Sequence, residues 1–204
     1  MPRAVSLAET LDLSAFRRPM KPIPERVETA IARGVAQGPD LLFANAAKLL
    51  EPGGDGITDA VIRNSDGMLV VCCLTDMPGN TPEMWDWWFG WHGVSDDRRA
   101  RPNLRERYIG VDSYVDERVA SPEIVKLTIS FRRPASFGLD EPKVDEIGTA
   151  ICARVGLRGS PLNTGRGIHL IRRMPTGAEM LRLIGETSRK CSGSSFDILV
   201  RISF

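Results

Sequence analysis

The sequence predicts an α+β protein in which short N-terminal helices precede an antiparallel sheet. Three observations lead to this prediction. The first 50 residues contain two apolar patterns with helical spacing. Most later segments are short and bounded by glycine, proline, asparagine or aspartate turns. One of them, residues 127–131, alternates strictly between apolar and polar side chains, which is typical of an antiparallel strand with one buried face.

The N-terminal part divides into an arm and two helices. Residues 1–24 combine arginines with three prolines, and this spacing favours an extended arm. Apolar residues in 24–38, Val35 included, have helical spacing, and residues 39–50 repeat that pattern before a glycine-rich turn ends it. We therefore expect an N-terminal arm with helices over 1–58 and a main domain over 59–204.

The main domain is expected to contain six strands and one prominent helix. The helix should begin at Thr81-Pro82-Glu83, because threonine caps a helix, proline suits its first turn and glutamate favours its positive end. The predicted strands are Ala60–Arg63, Met68–Thr75, Ile124–Phe131, Thr149–Val155, Gly167–Arg173 and Phe196–Phe204.

Composition and charge argue against nucleic-acid binding and against membrane association. The 204 residues carry 27 Lys and Arg against 26 Asp and Glu, a net charge of +1, so no overall charge attracts nucleic acid or an anionic membrane. The arginine-rich segment 95–108 also contains acidic residues and is expected to be a solvated loop. We find no signal peptide and no apolar run of membrane-spanning length. The four cysteines lack metal-knuckle spacing, and Cys72 and Cys73 are interpreted as buried free thiols, which fits a cytoplasmic protein.

The four tryptophans all fall between residues 85 and 91, within the predicted helix. Helical spacing separates one stripe, which contains Met84, Trp87, Trp88 and Trp91, from an adjoining stripe of Trp85 and Phe89. Two interpretations remain open: a helix buried on two sides by aromatic packing, or an aromatic wall for a flat ligand.

Only two histidines are available for imidazole chemistry, His92 after the tryptophan helix and His169 in a predicted strand. A single strand histidine is more often packed or hydrogen-bonded than a ligand, so spacing alone predicts no metal site. The carboxylates Asp116, Glu117 and Glu123 would ordinarily belong to a solvated strand edge and turn.

Several ordered motifs change this assessment. They are TDMPGNTPEMWDWWFGWHG, RYIGVDSYVDE, LTISFRRPASFGLD, ICARVG and GIHLIRRMPTGAEM. Over roughly 19–180 the chain resembles the family of 2,4-diacetylphloroglucinol hydrolase and phloretin hydrolase. The resemblance implies a Bet v1-like, helix-grip fold, in which a curved antiparallel sheet surrounds a pocket with a zinc ion. It also implies hydrolysis of a carbon–carbon bond between an acyl group and a phloroglucinol ring, for which zinc can polarise the carbonyl and activate water.

The same resemblance assigns roles to five residues. Glu117 corresponds to a carboxylate ligand of zinc, and His92 is the best remaining histidine ligand. His169 corresponds to a pocket histidine suited to catalysis by proton transfer or to substrate contact. Tyr114 is expected to donate its hydroxyl to a phenolic oxygen, and Trp88 to form part of the aromatic wall.

Two departures from the family pattern affect the zinc expectation. The segment between the GWH and RYIG motifs is shorter than in family members, and the sequence after GAEM has no histidine where relatives carry a helix with histidine and glutamate. Part of the zinc shell is therefore expected to be lost, and the domain to be incomplete at its C-terminus. The favoured function is zinc-dependent hydrolysis of a small aromatic ketone, with a homo-oligomer compatible with the sequence. The alternative is a non-catalytic or degenerate module that binds aromatic small molecules.

Overall fold

The structure, a computed structural model, describes residues 19, 22–37, 43–51, 59–117, 124–159 and 165–186. The side chains of residues 43–45, 117 and 186 are not part of that description. Most of the predicted N-terminal arm, Cys191 and the predicted strand Phe196–Phe204 lie outside the described residues.

The described chain is α+β and is built on an eight-stranded sheet, which confirms the α+β class. The strand order is β1-β2-β3-β8-β7-β6-β5-β4. β1 pairs with β2 in parallel and every other pair is antiparallel, so the sheet is mixed and the expectation of an antiparallel sheet throughout is wrong at this edge. The strands are β1 Val35–Gln37, β2 Ala60–Arg63, β3 Leu69–Pro78, β4 Asp112–Glu117, β5 Val125–Arg132, β6 Gly148–Leu157, β7 Gly165–Met174 and β8 Gly177–Glu186.

Helical segments are short, and all of those described except α1 lie between strands along the chain. The α-helices are α1 Glu25–Arg33, α2 Pro82–Trp91, α3 Asp96–Arg99, α4 Leu104–Tyr108 and α5 Glu141–Ile147. Two 3-10 helices cover Phe43–Leu50 and Pro134–Phe137, the first of which falls in the second predicted N-terminal helix. No helix in the described part of the chain has both the length and the apolar character needed to cross a membrane.

The edge strand β1 corrects the predicted extent of the first helix. That helix ends at Arg33, because Gly34 adopts a φ of 68°, a left-handed conformation that glycine takes without a steric penalty. Val35, which was expected to belong to the helix, instead begins β1 and pairs with Val61. The apolar spacing of Val35 therefore reflects pairing with a strand.

The five predicted strands that lie in the described residues are all present, and most of them run further than predicted. Three strands were not predicted, β1, β4 and β8, and neither were the short helices α3, α4 and α5. The solvated loop expected over 95–108 is wrong, since this segment folds into α3 and α4.

The sheet has two covered faces, and strand alternation assigns each side chain to one of them. On one face, side chains such as Cys72, Ile168 and Leu170 pack with Phe137 and Val144 from the segments that follow β5. On the other, which we call the α2 face, the sheet packs against α2, α4 and their connections. Its core consists of Met77, Val94, Tyr108, Phe131, Ile151, Ala153, Ile171, Ala178 and Met180.

Candidate functional site

The helix α2 begins where the sequence predicts. Thr81 is its N-cap and accepts a hydrogen bond from the backbone N–H of Met84 at 3.4 Å, while Pro82 occupies the first turn. The helix ends at Trp91, followed by His92 as the C-cap. All four tryptophans and His92 therefore belong to a helix, with its C-cap, that lies on one side of the sheet.

A buried carboxylate fixes α2 to the sheet. Asp86 accepts hydrogen bonds from the Tyr108 hydroxyl at 2.8 Å and the Thr149 hydroxyl at 2.9 Å. Its second oxygen lies 3.3 Å from Nε of Arg105, which also pairs with Asp145. Burial, followed by the Asp86 charge, raises the pKa of Tyr108 well above its ordinary value, so its hydroxyl stays a donor. The Asp86 carboxylate joins α2, α4 and β6, and Arg105 extends the network to α5 through Asp145.

The two aromatic stripes of α2 have different surroundings, so burial by aromatic packing holds for one stripe only, and the aromatic wall stays a prediction for the other. Trp85 and Phe89 pack into the core of the α2 face, where the Phe89 ring lies 5.5 Å from that of Phe131. The other stripe remains on the surface, with 46–53% of each residue exposed. Its members are Met84, Trp87, Trp88 and Trp91.

His92 is held by the end of the helix that precedes it. Its Nδ1 lies 2.9 Å from the carbonyl oxygen of Trp88, and its ring stacks on the Trp88 ring at 4.8 Å. Because a carbonyl only accepts, Nδ1 carries the hydrogen of this bond and Nε2 presents its lone pair. A backbone bond of this kind is how proteins orient a histidine that binds a metal or accepts a proton.

The backbone of β4 places Glu117 at the end of the strand remote from α2. A Cβ added to Gly93, next to His92, would lie 3.8 Å from the hydroxyl oxygen of Ser113. Glu117 is four positions further along the same strand and pairs with Val125 through the backbone. That separation corresponds to about 13 Å of extended chain. The described backbone thus does not bring Glu117 next to His92, and the Glu117 side chain lies outside the described residues.

Tyr114 and Asp116 share a strand face, as their spacing predicts, and Arg158 contacts both. The Arg158 guanidinium lies 5.0 Å from the centre of the Tyr114 ring and 2.7 Å from an Asp116 oxygen. Tyr114 pairs with Thr128, which pairs with Gly156, so alternation places Tyr114 on the sheet face opposite to α2. His169 lies on the α2 face. The structure therefore separates Tyr114 from His169 by the thickness of the sheet.

His169 belongs to a row of residues that crosses the middle of the sheet. Its backbone pairs with Ile151 on β6 and with Arg182 on β8, and Arg182 pairs in turn with Cys73 on β3. Burial, followed by the charge of Arg182, lowers the pKa of His169 to about 3. Its Nδ1 is shielded from solvent and makes no hydrogen bond within the described residues. At neutral pH His169 is a neutral imidazole with an unused polar atom.

The described residues do not fit a complete zinc site. A catalytic zinc ion is typically held by three protein ligands, and the described part of the chain contains no group of three His, Cys, Asp or Glu residues able to hold a metal. His92 has the orientation of a ligand, but His169 has the positively charged Arg182 beside it, which opposes a bound cation.

The three cysteines within the described residues, Cys72, Cys73 and Cys152, are buried free thiols, as predicted for the adjacent pair. Burial raises the pKa of Cys72 and of Cys152 to about 12, so both remain protonated. Neutral buried thiols are poor nucleophiles, which favours a packing role for Cys72 and Cys152.

The arginines of the 95–108 segment bind the protein's own backbone. Arg98 donates to the carbonyl oxygens of Glu106, Arg107 and Ile109 at 3.2–3.5 Å. Arg101 donates to the carbonyl oxygen of Glu106 at 3.2 Å. Arg99 and Arg107 donate to the carbonyl oxygens of Trp91 and Arg101 in the same way. These contacts fold the connection from α2 to β4.

Sequence reasoning missed two features of this region. Asp86 is the only carboxylate among the tryptophans of α2, and a charge within an aromatic helix was a usable signal for a buried partner. Arg182 interrupts the apolar run MLRLIG, and an arginine in a strand of that composition indicates a buried charge with a specific role. Both signals depended on recognising that the surrounding segments are buried.

Comparison with known proteins adds two findings. Residues 41–102 and 95–183 match the family described as DAPG hydrolase PhiG domain. The chain is also 40% identical over 111 residues to phloretin hydrolase of Eubacterium ramulus, a match that covers 43% of this chain and 39% of that protein. The chain thus spans about two fifths of the length of this relative.

Proposed function

The chain belongs to the DAPG hydrolase PhiG domain family, and from that membership we propose that it hydrolyses the carbon–carbon bond between an acyl group and a phloroglucinol-type phenolic ring. The observation that carries the proposal is the family match over residues 41–183, which includes α2, the row through His169 and most of β8. The similarity to phloretin hydrolase favours a phenolic ketone as substrate.

The reaction adds water across one bond. The acyl carbon gains a hydroxyl group and leaves as a carboxylic acid, and the ring carbon gains a hydrogen. The protein must therefore bring water to the carbonyl carbon, accommodate negative charge on its oxygen and deliver a proton to the ring. No redox cofactor takes part in this balance.

We assign proton transfer or hydrogen bonding to substrate to His169. A neutral imidazole with a buried, unused Nδ1 can accept a hydrogen bond from the attacking water or from a phenolic hydroxyl. The low pKa of His169 limits its strength as a base. Negative charge that develops nearby during the reaction favours the imidazolium and raises that pKa, so His169 can take a proton when the reaction generates an anion.

We extend the proposal to the type of fold, to the roles of Trp88 and Tyr114 and to the location of the protein. The Bet v1-like, helix-grip arrangement is supported by the long, mostly antiparallel sheet with helices packed against it. Trp88 supports an aromatic wall because it is exposed and lies beside His92. Tyr114 lies on the sheet face opposite to His169. We therefore do not propose that the two residues contact the same substrate molecule. A cytoplasmic location stays a prediction.

The experiment that tests the function is a turnover assay on the purified chain. Phloretin and 2,4-diacetylphloroglucinol are each incubated with the protein, and chromatography follows loss of substrate and formation of the carboxylic acid and deacylated ring. Equal molar amounts of both products support the proposal. No product from either ketone, with the protein folded and assayed with and without added zinc, would contradict it.

A second candidate function, binding of an aromatic molecule without turnover, is favoured by the exposed stripe of α2. Its tryptophans present adjacent ring faces, since Trp87 and Trp91 stack at 5.6 Å with an interplanar angle of 6°. Such a surface can bind a flat phenol without any catalytic group. Quenching of tryptophan fluorescence by phloroglucinol, with no product in the turnover assay, would favour this candidate over the first.

A further inference from the structure

The outer side of helix α2 is apolar, although the exposed side of a surface helix is normally polar. Helical spacing places the inward-packed residues, such as Asp86 and Gly90, on one arc of the helix and the exposed residues on the opposite arc. The exposed residues are Glu83, Met84, Trp87, Trp88 and Trp91. Glu83 is the only charged residue among them, so the outer side consists mainly of the exposed stripe of three tryptophans and Met84.

Buried contacts on the inner side of α2 fix the direction in which the exposed stripe faces. A Cβ added to Gly90 would lie 3.0 Å from the carbonyl oxygen of Leu104, so α2 and α4 are in close contact there. Asp86, on the same side of the helix, accepts hydrogen bonds from Tyr108 and Thr149. Rotation of α2 that buried the exposed tryptophans would break these hydrogen bonds around a buried carboxylate, which is strongly unfavourable.

The exposed stripe is large enough to be an interaction surface. Each of its four residues is about half exposed. Because a large apolar side chain buries roughly 200 Å², the stripe presents about 400 Å² of apolar area. The largest apolar patch on a monomeric protein is typically about 300–600 Å² and often has a function. A standard protein interface buries about 800 Å² per partner, so the stripe supplies about half of one.

The spacing of the stripe is complementary to a second copy of itself. Met84, Trp87 and Trp91 follow one another at intervals of three and four residues, which is the spacing of a helix–helix packing seam. In an antiparallel pair with its two-fold axis near Trp87, Met84 lies against Trp91 of the partner subunit. A methionine thioether against an aromatic ring is a favourable contact. The two helix dipoles are also antiparallel in this arrangement, which is favourable.

The charges around the stripe favour a second copy over a charged partner. The net charge of the chain is +1, so two copies repel each other little. Glu83 pairs with Arg173 at the start of α2, and Arg99 pairs with Asp96 beyond its end. Antiparallel packing brings the Glu83 end of one helix to the Arg99 end of the other. A membrane-binding helix typically carries lysine or arginine beside its apolar face, and α2 contains neither.

We propose that Met84, Trp87 and Trp91 form the interface of a symmetric homodimer, in which α2 packs antiparallel against α2 of a second copy of this chain. Trp87 and Trp91 stack on each other within one copy and act as a single flat surface. Trp88 stacks on His92 and stays at the rim of the interface. The dimer is weak, with a dissociation constant on the order of 10 µM, because the stripe is smaller than a standard interface. This inference goes beyond the proposed function and does not depend on it.

Sedimentation equilibrium of the full chain tests the dimer. We expect the average mass to rise from that of a monomer to that of a dimer as the protein concentration increases from 1 to 200 µM. Trp87→Glu places two like charges at the two-fold axis and should raise the dissociation constant by about tenfold or more. Leu157→Glu is the matched control, because it introduces the same charge at an exposed apolar residue of β6 and should leave the dimer intact. Circular dichroism of each variant shows whether it has folded.

Cross-linking tests the antiparallel register. Met84→Cys and Trp91→Cys are made separately in a Cys191→Ser background, in which the remaining cysteines, Cys72, Cys73 and Cys152, are buried. An oxidised mixture of the two variants should form more disulfide-linked dimer than either variant alone, because only the mixture places a new cysteine opposite a new cysteine. Electrophoresis without reducing agent measures the linked fraction. Equal linkage in all three samples would contradict the proposed register.

Three outcomes would overturn the dimer interface. The first is a chain that stays monomeric up to 200 µM. The second is a dimer that Trp87→Glu leaves intact, since the interface then lies elsewhere on the molecule. The third is a monomer whose tryptophan fluorescence is quenched by phloroglucinol, which would make the stripe a surface for a small aromatic ligand. None of these outcomes bears on hydrolysis of acyl phenols, which the turnover assay measures separately.

Discussion

The Tyr108 hydroxyl donates a 2.8 Å hydrogen bond to Asp86, and this contact joins the two helices that cover the α2 face. Both residues are buried, so the carboxylate has exchanged water for three protein donors, the hydroxyls of Tyr108 and Thr149 and the guanidinium of Arg105. A buried carboxylate with this set of partners is stable only while all of them are present. The position of α2, and with it His92 and the tryptophans, depends on that set.

Asp86→Asn is therefore expected to lower the free energy of unfolding by about 3 kcal/mol. It leaves Arg105 without its buried charge partner and, when the amide oxygen keeps the bonds from the two hydroxyls, turns an amide N–H toward the Arg105 N–H, donor against donor. Urea denaturation followed by circular dichroism measures the change. The control is Asp96→Asn, which alters an exposed ion pair with Arg99 and should cost less than about 0.5 kcal/mol. Equal effects of the two substitutions would show that the Asp86 network does not hold α2.

Two glycines on paired strands are expected to differ sharply in their tolerance of alanine. A Cβ at Gly148 would lie 2.0 Å from the carbonyl oxygen of Ile171, a distance that requires the β6–β7 ladder to move. Gly148→Ala should destabilise the protein by about 3 kcal/mol. Among the described residues a Cβ at Gly167 would meet only Cγ1 of Ile184, at 4.0 Å, so Gly167→Ala should be neutral or stabilising by about 0.5 kcal/mol. Thermal unfolding of both variants tests the pair, and a larger loss at Gly167 would contradict this prediction.

Acid should destabilise the fold through His169. Its pKa is about 3 in the folded protein against about 6.5 when unfolded, so between these values the unfolded chain takes up a proton that the folded chain does not. The free energy of unfolding then falls as the pH falls, by about 1.4 kcal/mol per unit from this group. Urea denaturation at pH 4.5, 5.5 and 7.5 measures the slope, and His169→Gln should be less sensitive over that range. If the unfolding free energy of the unaltered protein and of His169→Gln depends on pH with the same slope, the imidazole of His169 is solvated and the prediction is wrong.

Trp88→Ala is expected to raise the KM for an acyl phenol about tenfold with a smaller change in kcat, since loss of an aromatic face weakens binding of a flat ring by about 1–2 kcal/mol. Steady-state kinetics measures both constants. Trp87→Ala is the matched control, because Trp87 is exposed to a similar degree on the same helix and does not stack on His92. A KM that rises equally in both variants would assign the effect to the whole stripe.

Zinc content tests the metal assignment carried by the family resemblance. A zinc site that includes Glu117 requires about one zinc per chain in elemental analysis and loss of tight retention in Glu117→Gln. The described residues bring no three ligands together and instead predict less than one zinc per chain. Asp116→Asn is the neighbouring control, since Asp116 pairs with Arg158 on the surface. Zinc retained in full by Glu117→Gln would remove Glu117 from the ligand set.

The local signals in the sequence predicted α2 and the central strands well. Thr81, Pro82 and Glu83 mark the start of the helix through capping and dipole effects that act within one turn, and the structure begins α2 there. Strands rich in apolar residues between turn signals, such as 60–63, were also predictable because burial of each strand leaves a pattern in its own sequence.

The parts that escaped prediction depend on contacts between distant segments. β1 forms because Val35 pairs with Val61 on β2. The three residues of β1 are too few to show a strand pattern in the sequence. The arginines of α3 and α4 resembled a solvated loop because their partners are backbone carbonyl oxygens, which no residue type reveals. Likewise, alternation predicts that Tyr114 and Asp116 share a face, but only the pairing of all the strands shows that His169 lies on the other face.

In the connection from α2 to β4, arginine side chains donate hydrogen bonds to backbone carbonyl oxygens, and these bonds do not depend on pH in the acid range. Neither an arginine nor a peptide carbonyl titrates in the range in which His169 and carboxylates do. The bonds from Arg98, Arg101 and Arg107 therefore keep their full strength at a pH that weakens the sheet around His169. On mild acidification the central sheet should lose amide-exchange protection before the α3–α4 connection does, so the connection is the acid-resistant part of the fold.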